Sequence, residues 1–226
     1  MNEGLASREA LKAGLALRTP RSAAAAGIIF SVFLITALVL LRVSVPANTA
    51  VPGSWLTDSG RRTAVAVALN LVPFAGIAFL WFIGVLRDRI GEREDRFFAT
   101  VFLGSGLLFV AMLFAATAIG SGLIADTSSA VSGPATLVLG RNVTAILLNV
   151  YSMRMAAVFT LTTVNIARHT KIISRWLTFA GLVTALVLLI GVGISAWAEL
   201  LFPAWILALS IDILTATRRA FPDTAS

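Results

Sequence analysis

The sequence predicts an all-α protein: a polytopic transmembrane bundle of six helices with both termini in the cytoplasm. Three observations lead to this fold class. Hydrophobic residues make up 58% of the 226 residues and charged residues only 13%, whereas a soluble domain is typically about one-quarter charged. The apolar residues form runs of about 20 residues, the length of helix that crosses ~30 Å of hydrocarbon. The basic residues are concentrated in alternate connections between these runs.

The first span is predicted at 23–45. It carries no charge before Arg42, and we expect this long side chain to extend its guanidinium outward to the membrane interface. A secretory signal peptide is the less favoured alternative for this run, because its apolar core would be only about 7–15 residues long. Residues 1–22 place leucines on one helical face and basic residues on another, which predicts a cytoplasmic amphipathic segment on the inner leaflet.

Four further spans are predicted at 63–86, 98–125, 143–167 and 176–196. The sixth, at 200–216, is short and follows almost without a loop. An interfacial or re-entrant helix is the alternative there, since apolar runs under about 17 residues are ambiguous. Residues 217–226 are then a cytoplasmic tail.

The distribution of charge predicts the orientation. Thirteen Lys or Arg residues fall in the N-terminal segment, the connections after spans two and four, and the tail, while four fall on the opposite side. The positive-inside rule assigns the thirteen to the cytoplasm, and the alternation requires an even number of spans. Trp81 and Trp176 fall near the predicted cytoplasmic ends of spans, and Trp55, Trp197 and Trp205 near the outer ends, as expected for an aromatic belt.

Small residues form stripes on two spans, where they would let helix backbones approach closely in lipid. The stripe on span three is Gly104, Ala111, Ala115, Ala118 and Gly122, and that on span five is Ala180, Thr184, Gly191 and Ser195. Two interpretations are open. The stripes pack helices together within one molecule, or they form a subunit interface and the protein is a homo-oligomer.

Span two contains Pro73, which removes a backbone hydrogen bond and predicts a helix kink. The nearby Asn70 adds a polar side chain at similar depth. The kink is either a simple bend or part of a polar site.

Span four is polar on two sides. Asn149 and Ser152 share one face with small and hydroxylated residues, while Tyr151 and Arg154 lie on the opposite face. A helix of this kind is poorly suited to lipid contact, so we expect it to lie centrally and to touch several neighbours.

Arg154 lies near the middle of span four, and a charge at that depth costs about 2.5–3.5 kcal/mol on insertion scales unless it has a partner. Asp212 of span six is predicted at similar depth, ~18 Å against ~16 Å from the outer ends of the spans, so we predict an ion pair. Glu199 is the second choice, although its predicted place at the outer interface would let it contact water. The pair either orients two helices or belongs to a substrate or ion path that also includes Asn149, Tyr151, Ser152 and Asn70.

No enzymatic chemistry is predicted. The chain lacks cysteine, paired intramembrane carboxylates and a Ser–His pair, and its lone His169 does not suggest a metal site. We therefore expect no catalytic residue, metal or cofactor, and no nucleic-acid partner, because the basic residues are divided among short membrane-flanking segments. The polar features favour passage of a small solute or ion near Arg154. The alternative is a non-catalytic accessory or structural protein that assembles with partners in the lipid bilayer.

Two segments carry a family resemblance. The stretch 70–82, Asn-Leu-Val-Pro-Phe-Ala-Gly-Ile-Ala-Phe-Leu-Trp-Phe, runs on through Arg87 and Arg96 to Gly-Ser-Gly-Leu-Leu-Phe at 104–109. It resembles a family of six-span membrane proteins of actinobacteria to which no activity is assigned. The resemblance implies a location in the bacterial plasma (inner) membrane and implies no functional residue.

Overall fold

A computed structural model describes residues 2–45, 58–90, 96–126, 133–170, 174–191 and 197–220. The elements are α1 (Asn2–Ser44), α2 (Ser59–Ile90), α3 (Arg96–Asp126), α4 (Pro134–Ile146), α5 (Ser152–Thr170), α6 (Arg175–Ile190) and α7 (Leu201–Ala220). A π-helical segment, Leu147–Tyr151, joins α4 to α5, and a 3-10 turn, Ala198–Leu200, leads into α7. The predicted all-α class is confirmed.

The helices have the lengths and the composition of membrane spans. Within the described residues, five stretches are long and apolar enough to cross a membrane: Arg21–Ser44, Ser59–Arg87, Phe97–Ala125, Ala135–Arg168 and Ala198–Ala216. Helix α6 is equally apolar but has 16 residues, which span only ~24 Å. The last five residues of the span predicted there, 192–196, lie outside the described residues. The protein is a multi-pass, membrane-embedded helical bundle.

The final helix lies within the bundle. It packs extensively along α1 and also against α6, and Phe202, Ile206 and Leu209 are fully buried. These contacts disagree with a surface-lying interfacial helix. Because α1 and α7 are neighbours, the C-terminal end of α1 lies beside the turn that begins α7.

Trp205 departs from its predicted place in the outer aromatic belt. It is buried between α6 and α7, and its indole N–H donates to the carbonyl oxygen of Leu177 at 3.1 Å. The glycine at 181 makes the space, since a Cβ there would come within 2.7 Å of the indole nitrogen. The belt prediction was wrong for this residue because an indole whose N–H finds a buried acceptor has no need of the interface.

Phenylalanines fill the centre of the bundle. Seven of them are fully buried in the described part of the chain: Phe30, Phe79, Phe82, Phe102, Phe109, Phe159 and Phe202. Phe79 lies at the middle of this phenylalanine core, with ring centroids 4.5 Å from Phe30, 5.1 Å from Phe109 and 5.7 Å from Phe202. Its edge-to-face contacts with Phe109 and Phe202 are favourable aromatic geometry. The rings close the interior at mid-depth.

The small-residue stripe of α3 lies outside the bundle. Ala111, Ala118 and Gly122 are exposed, and a Cβ added at Gly104 or Gly122 would meet no atom within 4 Å. Helix α3 turns its large side chains inward instead, including Phe102 and Phe109. Packing within one molecule therefore does not explain the exposed positions of this stripe.

Candidate functional site

A cavity lies at one end of the bundle, the end that the charge distribution predicts to be outer. Its volume is about 340 Å³. It forms where the last turns of α1 and α3, the first half of α2, the α4–π segment and the 3-10 turn before α7 come together. The lining is Leu38, Leu41, Arg42, Val45, Val65, Leu69, Gly120, Leu123, Arg141, Thr144, Ala145, Leu148, Asn149, Trp197 and Glu199.

An ion pair between Arg42 and Glu199 lies in the wall of this cavity. The Glu199 side chain is only 8% exposed and that of Arg42 is 30% exposed. Burying a lone carboxylate in apolar surroundings is costly, and the guanidinium offsets that cost. Arg42 also occupies the last turn of α1, where a cation interacts favourably with the helix dipole.

This pair corrects one prediction. Glu199 was expected to contact water without a partner. That expectation was wrong because α1 packs along α7, which brings the side chains of Arg42 and Glu199 together. Pairing then satisfies both charges within the protein.

Asn149 adds a second donor to the same carboxylate. The Asn149 amide is oriented with its nitrogen toward the carboxylate, because a carboxylate only accepts hydrogen bonds. In this orientation Nδ2 lies 3.0 Å from Oε1 and 3.2 Å from Oε2 of Glu199. Asn149 belongs to the π-helical segment, and such segments are frequent at functional sites because they rotate side chains out of the α-helical register. The amide and the guanidinium together hold Glu199 in position.

A buried hydroxyl without a partner also lines the cavity. Thr144 Oγ1 has no hydrogen-bond partner in the structure. A buried polar atom left in this state typically costs about 1–3 kcal/mol, so each such atom calls for an explanation. Arg141 lies one turn before Thr144 and lines the same space. Trp197, 51% exposed, is at the rim.

Comparisons with family models, curated proteins and solved structures found no match. The chemistry of the cavity is therefore inferred from its own geometry.

The predicted pair between Arg154 and Asp212 is not formed. Both residues are described, and no ion pair joins them within 4.0 Å. Arg154 is exposed on the outside of α5. Asp212 accepts instead from the backbone N–H of Ser174, 3.4 Å away, at the start of α6.

The reason lies in the length of the fourth span. Its helix begins at Pro134 and continues through the π segment, so Arg154 is ~30 Å from its start, compared with the ~16 Å predicted from a start at Val143. Helix α5 also turns Arg154 away from its neighbours, while Ser152, Ala156 and Thr160 face inward and are fully buried. The helix packs against α3 and α6 but is not surrounded on all sides, contrary to the expectation that it is central.

The remaining residues of the predicted path are separated from one another. Tyr151 is exposed. Ser152 is buried, and its hydroxyl donates to the backbone carbonyl of Leu148. Asn70 is exposed, and its Nδ2 donates to the carbonyl of Ala66 at 2.8 Å. Asn70 lines a separate groove of about 380 Å³ with Arg62, Thr63 and Phe74. Pro73 lies one turn after Asn70, and α2 continues through this proline to Ile90. Of the predicted path residues, Asn149 alone lines the outer cavity.

The sequence did not assign Arg42, Arg141 or Thr144 to a site, and it gave Glu199 only as the second-choice partner of Arg154. A signal for Arg42 and Glu199 was present, since opposite charges ended the first span and began the last one at the same predicted membrane face. No comparable signal marks Thr144, because a threonine in an apolar helix ordinarily donates to its own backbone.

Proposed function

We propose that this protein is a non-catalytic accessory protein of a bacterial plasma membrane, with six spans and cytoplasmic termini, that assembles with a second copy in the bilayer and forms no pore by itself. The observation that carries the proposal is the position of Arg154, exposed on the outside of a membrane-spanning helix. The positive-inside rule supports the orientation, and the resemblance described above supports the location.

The closed interior argues against conduction through one molecule. The phenylalanine core fills the bundle below the outer cavity. Buried hydroxyls on α5 donate to carbonyls of their own helix, as Thr160 does to Ala156 at 2.8 Å and Thr163 to Phe159 at 2.7 Å. These hydroxyls are therefore engaged in backbone hydrogen bonds and offer no continuous polar path.

The exterior arginine argues for a partner. Arg154 lies 14 positions before Arg168, the end of its apolar stretch, or ~21 Å of helix. Exposing its charge to lipid at such depth costs about 2.5–3.5 kcal/mol on insertion scales. Tyr151 is exposed one turn earlier, and a desolvated cation–π contact is worth about 2 kcal/mol. In a two-fold dimer, each Arg154 would reach the Tyr151 of the other copy.

Disulfide trapping tests this assembly, because the chain contains no native cysteine. Val158 lies one turn beyond Arg154 on the same face, so Val158→Cys leaves both Arg154 and Tyr151 intact. We expect oxidised membranes to give a covalent dimer of Val158→Cys and none of Leu186→Cys, which places the thiol on the exposed face of α6. Equal trapping of the two variants, or none of either, would contradict the proposal.

Transport is the second candidate, and the charged outer cavity favours it. An outward-facing carrier would have such an entrance above a closed core. Flux of anions, cations and protons into liposomes distinguishes the two functions. The accessory role predicts background flux for wild type and for Glu199→Gln alike, whereas flux by wild type that Glu199→Gln abolishes would establish transport.

A further inference from the structure

We propose that the groove along the first half of α2 binds an anionic glycerophospholipid, with the headgroup phosphate at Arg62 and one acyl chain reaching to Phe74. This is the groove of about 380 Å³ on the outside of the helix. The inference goes beyond the accessory role, since the lipid would bind whether or not two copies of the chain assemble. It depends on the length of the groove, the order of polar and apolar side chains along it, and the charge of Arg62.

The groove follows one face of α2. Its lining is seven positions of that helix, from Arg62 to Phe74, at alternating spacings of one and three residues, together with Ile124 of α3. This spacing keeps the seven positions on one helical stripe. The stripe is ~18 Å long, and half of the hydrocarbon core is ~15 Å thick. The groove therefore extends from the membrane interface to about mid-depth, as one acyl chain does.

The side chains change from polar to apolar along the groove. Arg62 lies in the first turn of α2, whereas Val67 and Phe74, further along, are exposed apolar side chains. Between them, the amide nitrogen of Asn70 donates to the carbonyl of Ala66 at 2.8 Å, so the helix itself engages this donor. A phospholipid has the same order, with a charged headgroup followed by an apolar chain.

Arg62 supplies the positive charge at the start of the groove. Its neighbour Arg61 pairs with Asp58, with 3.4 Å between Nε and Oδ2, so those two charges offset each other. Among the described residues, no ion pair within 4.0 Å involves Arg62. A guanidinium at the membrane interface attracts anionic headgroups, and its planar fork suits phosphate oxygens. A headgroup with a net negative charge therefore matches this position better than a zwitterionic one.

A second copy of this chain is the alternative occupant, and the position of Arg62 disfavours it. In a two-fold dimer with its axis along the membrane normal, equivalent residues of the two copies lie at the same depth. A dimer formed through this groove would place two Arg62 guanidinium groups near each other, and like charges repel. A lipid phosphate brings the opposite charge to the same position.

Quenching by brominated lipids tests the proposal with the full-length protein in dioleoyl phosphatidylcholine vesicles. Phe74→Trp places an indole at the lower end of the groove, and its emission is obtained by difference from the protein that keeps Phe74. The vesicles contain a fixed fraction of phosphatidylglycerol or phosphatidylcholine with dibrominated chains, which quench the indole on contact. We expect phosphatidylglycerol to bind there about 5-fold more tightly than phosphatidylcholine, the factor expected for one arginine at a lipid surface.

Leu186→Trp is the matched control for the position of the indole. Leu186 is exposed on α6, a helix that contributes no residue to the groove. An indole there should report a preference for phosphatidylglycerol of less than about 2-fold, because no lining arginine is beside it. Equal preferences reported by Phe74→Trp and Leu186→Trp would overturn the proposal.

Further changes in the Phe74→Trp protein locate the headgroup and the chain. Arg62→Gln should remove the preference for phosphatidylglycerol, whereas Arg61→Gln, which removes the same charge outside the groove, should keep at least half of it. Ala66→Phe fills the groove, leaves Arg62 intact and should also remove the preference. Its control is Ala204→Phe, at an exposed position of α7. Equal losses in the two arginine variants, or an unchanged preference in Ala66→Phe, would overturn the proposal.

Val67→Cys distinguishes a lipid from a second copy in the groove. Val67 is an exposed residue of the lining, and the chain has no native cysteine. We expect oxidised membranes to give no covalent dimer of this variant, whereas Val158→Cys reports assembly through α5 separately. A covalent dimer of Val67→Cys would overturn the proposal and assign the groove to a second copy.

Discussion

Arg42 and Glu199 form an ion pair across 157 positions of the chain, joining the last turn of α1 to the turn that opens α7. The pair connects the first and last membrane spans at the predicted outer end of the bundle. The pair also forms part of the cavity wall, where Asn149 of the π segment donates to the same carboxylate. One carboxylate thus joins the first span, the last span and the π segment at the cavity.

Removing one member of this pair should destabilise the fold. We expect Glu199→Leu to lower the free energy of unfolding by about 2–4 kcal/mol. This loss is somewhat smaller than the loss expected for a fully buried ion pair, because the Arg42 side chain is 30% exposed. The double variant Arg42→Leu/Glu199→Leu should recover most of the loss, since it leaves no unpaired charge. Reversible unfolding in mixed micelles measures both. Arg61, exposed and paired with Asp58, supplies the control Arg61→Gln, which should cost under about 0.5 kcal/mol.

Phe79→Ala should open the phenylalanine core. Phe79 contacts five other buried rings, and its truncation leaves a cavity that helices cannot easily close. We expect the free energy of unfolding, measured by the same assay, to fall by about 2–4 kcal/mol. This is the lower end of the range for such truncations, because lipid solvates apolar side chains in the unfolded state as well. Phe74, on the same helix but 59% exposed, provides the matched control. Comparable losses in Phe74→Ala and Phe79→Ala would contradict the importance of the core.

Gly181→Ala should loosen the contact between α6 and α7. A Cβ there would lie 2.6 Å from a Val164 methyl and 2.7 Å from the Trp205 indole nitrogen. We expect overpacking to cost about 1–3 kcal/mol and to red-shift Trp205 fluorescence as its hydrogen bond to Leu177 lengthens. Gly104→Ala, where the new Cβ meets nothing within 4 Å, should not lower stability. An unchanged emission maximum in Gly181→Ala would argue against the close contact.

Gly104→Leu should reduce association between copies without affecting the stability of each one. The small-residue stripe of α3 lies outside the bundle, so a larger side chain there obstructs only the approach of another helix. Multi-angle light scattering of the purified protein gives the oligomeric fraction. Gly84→Leu is the control, since a Cβ added at Gly84 also meets nothing within 4 Å and Gly84 belongs to α2, which carries no residue of the stripe. Equal effects of the two would exclude a specific role for the stripe.

Arg154 and Asp212 should behave independently. Arg154→Leu and Asp212→Asn, made separately and together, should change the free energy of unfolding additively within about 0.5 kcal/mol. The aspartate alone should matter by about 0.3–1 kcal/mol, because it places a negative charge beside the N-terminus of α6. A coupling energy well above 1 kcal/mol in the double-mutant cycle would restore the pair predicted from the sequence.

The site was harder to predict than the fold. The helical class and the approximate positions of most apolar helices could be predicted, because both depend on neighbouring positions in the chain. The partner of Glu199 could not be predicted from the sequence, because the choice between Arg42 and Arg154 depends on which helices are adjacent in the folded protein. The depth estimate for Arg154 failed for a local reason, since an apolar stretch that begins before Val143 was assigned to the preceding loop.

That this protein is a helical, multi-pass membrane protein follows from local sequence, because the length and composition of an apolar run are properties of that run alone. Lipid leaves the backbone of such a run no alternative to a helix. Which side of each helix faces inward depends on the packing of the whole bundle. That packing had several consequences. It turned Arg154 and the α3 stripe outward, buried Trp205, and brought Arg42 to Glu199. These outcomes depend on rotation about each helix axis, which is set by side chains distant in sequence that pack together.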